Sequence, residues 1–489
     1  MDGNYAPSSP TPAGDVEIRG LTADSRLVEP GFLFAALPGA SVHGKTFIDE
    51  AVRRGAVALL IDDALALPDL HRRYPRLPVV VDANPRRRLA ILAGRLFVPQ
   101  PKTIAAVTGT NGKTSVAAFT RQLWLRLGWK AASLGTLGVV GPDFERAGSL
   151  TTPDPVTLHK ELHELALAGV DHVAIEASSH GLDQFRLDGL DLAAAAFTNL
   201  TRDHLDYHRT MEAYLAAKTR LFGQVMHAGR AAVLNAEVAE FTPLLMLSRR
   251  RGHRVIAYGE GVAADLRLVS ARPTQAGQAL ELLVFEEPHS VFLPLLGRFQ
   301  AMNALAALGL AIATGAPPAE AVAALGTLSG VPGRIQHVAS HPNGAPIFVD
   351  YAHTPDALQT VLRALRPHCR GRLVAVFGAG GDRDPGKRPL MGEVVTRLAD
   401  RAIVTDDNPR NESPAAIRQA VLAGAPGARE IGDRAEAIAT AIAELAPEDL
   451  LVIAGKGHER GQTVAGVTHP FDDAEVARAA VAAFGRTHP

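Results

Sequence analysis

The chain has 489 residues, enough for roughly two to four domains with ample core. Its 47% hydrophobic and 21% charged residues are those of a globular protein, and a net charge of −1 argues against a nucleic-acid or acidic-membrane partner. The single cysteine, Cys369, excludes an intramolecular disulfide and fits a reducing compartment, the cytoplasm, while no apolar run reaches membrane-spanning length.

In chain order, Met1–Gly14 is rich in Pro, Ser and Ala and reads as a loose tail. It lacks the basic and apolar regions of a signal peptide. A first block, residues 1–101, carries short strands at Val57–Ile61 and Val79–Val81 and a helix around Arg86–Leu96, and Pro99 and Pro101 punctuate its end. A second block, 102–332, opens with the apolar run Ile104–Val107, a glycine-rich turn and a helical stretch Val116–Leu127. Buried-strand runs follow at His172–Glu176, Ala193–Phe197, Ala231–Leu234 and Val255–Tyr258, then a helix at Ala301–Thr314. A third block, 333–489, repeats the rhythm at Ile347–Tyr351, Leu373–Phe377, Ala402–Thr405 and Leu451–Ala454. The predicted fold is α/β in three domains. The central phosphate-loop sheet and the C-terminal Rossmann-like sheet are expected to be doubly wound, and the N-terminal α/β domain smaller. Ligands in such sheets bind beyond the carboxyl ends of the strands, where almost every unusual motif of this chain falls.

The turn after Ile104–Val107 reads Thr108-Gly109-Thr110-Asn111-Gly112-Lys113-Thr114-Ser115. Backbone N–H groups of such a turn cradle a polyphosphate at a helix N-terminus. Lys113 reaches the terminal phosphates, and the Thr114 hydroxyl suits Mg²⁺. The spacing is shorter than in the common phosphate loop, since only Thr110 and Asn111 separate Gly109 from Gly112; the bland alternative is a tight strand–helix turn. Strand His172–Glu176 ends in a carboxylate suited to the same cation. The next strand exit, Thr198–His208, is dense in polar residues and offers His204 as a further ligand, with His208 as an ordinary loop histidine.

Lysine usage adds a second signal: of 50 basic residues 42 are Arg and 8 are Lys. A chain that uses Arg for most positive charges should keep Lys where a primary amine or compact charge is needed. Lys113, Lys218, Lys387 and Lys456 each lie in a distinctive stretch. For Lys218, inside the helical Met211–Phe222, an exposed helix lysine is the competing reading. The third block adds Asp350–His353, Gly378–Asp384, Asp407–Arg410 and Gly455–Glu459. Arg383 stands where a nicotinamide or flavin fingerprint needs its last glycine, so such a site is rejected. Cations Arg383 and Arg410 beside an acceptor, Glu459, suit a zwitterionic amino acid.

These stretches, with Gly333-Arg334, occur in the order of the Mur ligase family, which the chain resembles over nearly its whole length. Mur ligases are ATP-dependent amide-forming enzymes of bacterial peptidoglycan precursor synthesis. Asp407-Asn408-Pro409-Arg410 is similar to the signature of the members that add meso-2,6-diaminopimelate to UDP-N-acetylmuramoyl-L-alanyl-D-glutamate. The resemblance implies an N-terminal domain for the UDP end, a central ATPase domain and a C-terminal amino-acid domain. It implies ATP and Mg²⁺ as cofactors, and a carbamylated Lys218 that joins Thr114, Glu176 and His204 around the metal. It carries ATP contacts to the phosphate loop, Asn303, Arg334 and Asp350, with Lys113 and Arg334 acting on the transferred phosphoryl group. UDP–muramoyl-dipeptide contacts fall on Ser25, Thr151, Thr152, Ser178, Gln184 and Arg186. Diaminopimelate contacts fall on Arg383, Asp407, Asn408, Pro409, Arg410, Gly455 and Glu459. A monomer acting on small molecules, with no nucleic-acid or membrane partner, is expected.

The chain departs from the family at three places. The loop Gly39–Gly44 lacks a common His-Gln-Ala triplet, Leu150 replaces a frequent asparagine, and Gln300 does the same three residues before Asn303. Among rivals, a lysine-adding sister needs no guanidinium at Arg410, and a folylpolyglutamate-forming one does not account for the full N-terminal block. An NTP-driven switch would explain the phosphate loop alone.

Overall fold

The computed structural model describes residues 16–39, 42–148, 150–274 and 276–487. The expected N-terminal tail, and residues 40 and 41 of the Gly39–Gly44 loop, lie outside the described residues. The chain packs as two compact units. One runs to Lys113 and adds Gly128–Ile256; the other joins Thr114–Leu127 to the chain from Ala257 onward.

The first unit contains two sheets. Strands Gly20–Thr22, Phe32–Ala35, Ala58–Ile61 and Val79–Val81 pair in parallel in that order. Helix Pro85–Leu96 covers one face through Leu89, Ala90 and Ala93, and its start is set by Asn84, whose side chain accepts from the Arg87 N–H, and by Pro85. The second sheet is built on strand Thr103–Thr108, flanked in parallel by Leu192–Phe197 on one side and His172–Glu176 on the other. Ala231–Asn235 and Ala131–Gly135 extend it outward, also in parallel. The central strands are buried on both faces, which is why they are continuous Ala, Val and Ile runs and not alternating ones. Two ribbons not read from the sequence, Gly138–Val140 and Glu145–Arg146, add antiparallel strands at one edge. Arg87 ties the two sheets together by an ion pair to Asp188 at 3.0 Å, and Gln100 by a hydrogen bond to His159 at 2.8 Å.

The second unit opens with Leu266–Thr274, which pairs in parallel with Tyr258 and Gly259 and, with Gly277–Val284 and Glu287–Leu293, forms an antiparallel ribbon at the end of the same eleven-stranded sheet. Helix Arg298–Ala313 follows, buried along almost its full length. A six-stranded sheet comes next, in the order Gln336–Ser340, Pro346–Asp350, Leu450–Ala454, Leu373–Phe377, Arg401–Val404 and Arg429–Glu430. Only Gln336–Ser340 is antiparallel to its neighbour. Apolar clusters lie on both faces. Leu358, Leu362, Met391 and Val395 pack on one, and Ile438, Ile442 and Ala477 on the other. The loops at the carboxyl ends of Pro346–Asp350, Leu373–Phe377, Arg401–Val404 and Leu450–Ala454 carry the third block's motifs, as the doubly wound arrangement requires.

Candidate active site

The glycine-rich turn joins strand Thr103–Thr108 to helix Lys113–Arg126. Gly109 has φ +150° and a Cβ there would lie 1.9 Å from Thr198 Oγ1, so only glycine fits. The turn is braced by the next strand exit. Thr198 Oγ1 donates to the Asn111 carbonyl at 2.6 Å, the Asn111 N–H donates to Asn199 Oδ1 at 2.9 Å, and the Thr110 N–H donates to the Asn199 carbonyl at 2.8 Å. Lys113 folds back over its own loop, donating to the Gly109 and Thr110 carbonyls at 2.9 and 2.7 Å. Thr114 and Ser115 follow it, buried, in the helix's first turn.

Lys218 is not an exposed helix lysine. Its side chain is 1% exposed, and Nζ donates to the Gly109 carbonyl at 2.7 Å. The amine lies over the ring of Tyr214 at 4.4 Å, one helical turn earlier, and the Tyr214 hydroxyl reaches Thr110 Oγ1 at 3.1 Å. Burial first, and the charge of Lys113 second, push the Lys218 amine down to about 6. It is therefore largely an uncharged amine at neutral pH.

Glu176 ends its strand buried at 2% exposure. Its Oε1 accepts from the Thr136 N–H at 2.8 Å, and a Cβ on Gly135 would lie 2.1 Å from it. His204 takes a left-handed backbone, φ +52°, at the start of helix Leu205–His208. It presents a half-exposed ring 4.9 Å from that of His180 and 6.2 Å from that of Tyr214. Among the described residues no three His, Cys, Asp or Glu side chains form a ready metal cage.

Most of the residues expected at the UDP–muramoyl peptide form one connected network. Thr152 Oγ1 donates to the Glu176 carbonyl at 2.7 Å and accepts from the Ser178 N–H at 3.0 Å. Arg186 donates to the Thr152 carbonyl at 2.6 Å and to Gln184 Oε1 at 2.7 Å, and Gln184 reaches the Tyr207 hydroxyl at 3.2 Å. Thr151 Oγ1 lies 3.0 Å from Thr136 Oγ1, itself a partner of Glu176. Ser25 is not in this network: its hydroxyl donates to Glu50 at 2.8 Å within the N-terminal sheet region.

In the second unit Asn303 donates to Gln300 Oε1 at 3.1 Å, so the residue that departs from the family pattern is the partner of the one that keeps it. Arg334 stacks over the Tyr351 ring at 4.9 Å. Asp350 is buried, and its two oxygens accept from the Ile335 and Ala352 N–H groups at 2.7 and 2.8 Å. Burial holds its carboxyl above the usual range, against the opposing pull of Arg334 and the two N–H donors.

The amino-acid loops meet backbone to backbone. The Gly381 N–H donates to the Asn408 carbonyl at 2.9 Å, and a Cβ on Gly381 would lie 2.0 Å from the Pro409 carbonyl. Arg410, left-handed at φ +51°, donates from Nη1 to the Gly381 carbonyl at 2.7 Å. Arg383 emerges exposed from the adjoining turn. Asn408 Nδ2 donates to Glu459 Oε2 at 2.8 Å, and Asp407 Oδ2 points at Gly455, where a Cβ would come within 2.5 Å.

Several residues of these sites were not assigned from sequence. Thr136, Gly135 and Tyr214 carry no motif of their own. Lys456 stood out as a scarce lysine inside the Gly455–Glu459 motif but was given no role, and hairpin Gly461–Val464/Val467–Pro470, which holds Arg410 through the Thr463 carbonyl at 3.0 Å, gave no signal.

Family models match three stretches in succession. They are the Mur ligase family catalytic domain at 17–96, the Mur ligase middle domain at 107–311 and the Mur ligase glutamate ligase domain at 333–457. The chain is 53% identical to UDP-N-acetylmuramoyl-L-alanyl-D-glutamate–2,6-diaminopimelate ligase of Bradyrhizobium diazoefficiens, over 98% of each chain. It is 54% identical to the enzyme of that name from Caulobacter vibrioides, over 94% of this chain and 95% of the other. A solved structure of the same name, 36% identical and covering 96% of both chains, superposes with a TM-score of 0.73. With all three domain models in order and such relatives along its whole length, the chain belongs to the Mur ligase family.

Proposed function

We infer that this chain is an ATP-dependent ligase that joins an amine of meso-2,6-diaminopimelate to the D-glutamyl carboxylate of UDP-N-acetylmuramoyl-L-alanyl-D-glutamate, a step of peptidoglycan precursor synthesis. The observation that carries the reading is the clasp of the Asp407–Arg410 loop to Glu459 through Asn408 at 2.8 Å. A nucleotide switch has no use for a carboxylate and a guanidinium arranged for an amino acid. The names of the full-length relatives support the same substrate. The sequence division is kept: residues 1–101 for the UDP end, 102–332 for ATP and 333–489 for the amino acid, in a cytoplasmic monomer.

A carboxylate resists attack by an amine because oxide is a poor leaving group. In the proposed reaction the D-glutamyl carboxylate attacks the γ-phosphorus of ATP, ADP departs and an acyl phosphate forms. The diaminopimelate amine then attacks the acyl carbon and phosphate leaves. Lys113 and Arg334 are assigned to the charge on the phosphoryl group in flight. Asn303 and Asp350 are assigned to the rest of the nucleotide, and the Thr152–Ser178–Arg186–Gln184 network, with Thr151 and Ser25, to the UDP–muramoyl peptide. Arg383 and Arg410 would take carboxylates of diaminopimelate, Glu459 its ammonium, and Asp407, Pro409 and Gly455 the shape of the pocket.

Lys218 is assigned as a carbamate. A buried, uncharged amine is the form that combines with CO₂, releasing a proton and leaving a carboxylate-like group. Mg²⁺ suits the resulting donors, since Thr114, Glu176 and the carbamate all offer oxygen and His204 adds one nitrogen. When bound, the cation neutralises charge on the phosphates. The experiment is phosphate release from ATP with each substrate omitted in turn. Release is expected only when the UDP–muramoyl dipeptide and diaminopimelate are both present. Release with ATP alone, or equal rates with lysine, would overturn the reading.

A further inference from the structure

Lys456 has no part in the chemistry above, yet its side chain is wholly buried. Nζ donates to Asn408 Oδ1 at 3.2 Å, to Glu459 Oε2 at 3.4 Å and to the Gly461 carbonyl at 2.5 Å. An ammonium has three hydrogens, and here three residues each supply an acceptor: Asn408 from a distant loop, and Glu459 and Gly461 just after the lysine. Arg could not take this place, because a planar guanidinium cannot aim its N–H groups at three oxygens around a point.

The consequence falls on Asn408. Its Oδ1 accepts from Lys456 and also from the Thr463 N–H at 2.9 Å, so both lone pairs are taken. A flipped amide would set its NH₂ against two donors. The carboxamide therefore has one orientation, with Nδ2 toward Glu459 at 2.8 Å. Nδ2 keeps one hydrogen to offer a ligand. Glu459 Oε2 receives both Asn408 and Lys456, which leaves Oε1 as the acceptor. One donor beside one acceptor, in fixed order, matches the carboxylate and ammonium of a single amino-acid centre.

We propose that Lys456 is the positioning residue that fixes the polarity of the amino-acid site, acting through Asn408 and Glu459 and seconded by Thr463. The proposal rests on the diaminopimelate reading and deepens it. It assigns the Asn408–Glu459 pair to the ammonium and carboxylate of one centre of that ligand. Lys456 touches no substrate; it determines which face of the amide the substrate meets.

The test is steady-state kinetics of full-length enzyme by phosphate release, varying diaminopimelate and ATP separately. Wild-type activity that depends on diaminopimelate establishes the underlying reading first, so failure there is distinct from failure here. Lys456→Met should raise KM for diaminopimelate by roughly tenfold, the lower end for losing a hydrogen bond to a charged group, since Glu459 is partly exposed. KM for ATP and kcat at saturating diaminopimelate should stay within about threefold. Asn408→Leu should have a similar effect, and the double variant should be little worse than either single, since both remove one interaction. Additive effects, or a fall in kcat with KM for diaminopimelate unchanged, would overturn the proposal in favour of a structural role. Should Lys456→Met not fold, Thr463→Pro serves. It deletes the second N–H on Asn408 Oδ1, together with the Thr463–Thr468 hydroxyl contact on the outer face, and keeps the carbonyl that receives Arg410, on a side of the strand that does not face the hairpin partner. It should raise KM for diaminopimelate several-fold, and an unchanged KM would overturn the proposal equally.

Discussion

Two lysines, one in each unit, are buried alike, at 1% exposure for Lys218 and 0% for Lys456, and their surroundings are opposite. Lys456 finds three oxygens, one of them a carboxylate. Lys218 finds one carbonyl, an aromatic face and a neighbouring cation, and burial pushes it down to about 6. Depth alone therefore does not decide what a lysine does. The number of acceptors decides whether the amine is a fixed post or a latent nucleophile. The same contrast separates the two regions. The nucleotide loop is one contiguous turn braced by its neighbour, and the amino-acid site is four separate loops held in register by both backbone and side-chain bonds.

The largest expected effects lie on the nucleotide side. Lys218→Ala should remove nearly all turnover, and added short carboxylates should restore part of it. Lys218→Arg should not restore it, because guanidinium cannot become a carbamate. An Arg variant with full turnover would show that only positive charge is needed. Lys113→Ala should lower turnover by about 10²–10³, the usual worth of an electrostatic group in transfer. Its thermal midpoint should move little, since the Lys113 amine donates to carbonyls of its own partly exposed, glycine-rich loop. A variant that turns over normally would remove Lys113 from the chemistry.

On the amino-acid side, Arg410→Ala should narrow the ratio of kcat/KM between diaminopimelate and lysine by at least about 30-fold, because a desolvated charge pair loses one partner. The exposed Arg383 shares the carboxylate, so some preference should survive. An unchanged ratio would move selectivity elsewhere.

The smallest effect is on stability. Lys218 sits near 6 when folded against 10.5 unfolded, so between those values the unfolded chain binds more protons. By linkage, the share of stability due to this residue rises with pH across that window. In CO₂-free buffer Lys218→Met should therefore exceed wild type in thermal midpoint near pH 6, with the gap closing as pH approaches 10. A gap independent of pH would mean that the buried amine keeps its proton.

How much of this was legible in the sequence follows the same division. Strands buried on both faces were legible as apolar runs; Leu373–Phe377 and His172–Glu176 are observed at the predicted bounds. The half-buried ribbon Leu266–Leu293 was not, because its alternation is broken by Pro273 and by register shifts. The phosphate loop was legible because its chemistry needs neighbouring residues. The burial of Lys218 was not, since a helix pattern does not say which face meets Gly109. Lys456 stood out as a scarce lysine within the Gly455–Glu459 motif, but its role was not legible, because Asn408, the acceptor that gives it one, is brought to it by folding.

The hairpin Gly461–Pro470 grips Arg410 by main chain alone, through Arg410 N–H to the Thr463 carbonyl and Ala465 N–H to the Arg410 carbonyl at 2.7 Å. A grip of that kind is indifferent to side-chain identity. Replacement of the outward residues His469 and Pro470 should therefore leave substrate choice unchanged. Apart from Gln462, whose side chain donates to the Asp407 carbonyl at 2.8 Å, the hairpin's function would be visible to selection through length and turn type, so an insertion or deletion there should be far more damaging than any single replacement on its outer face.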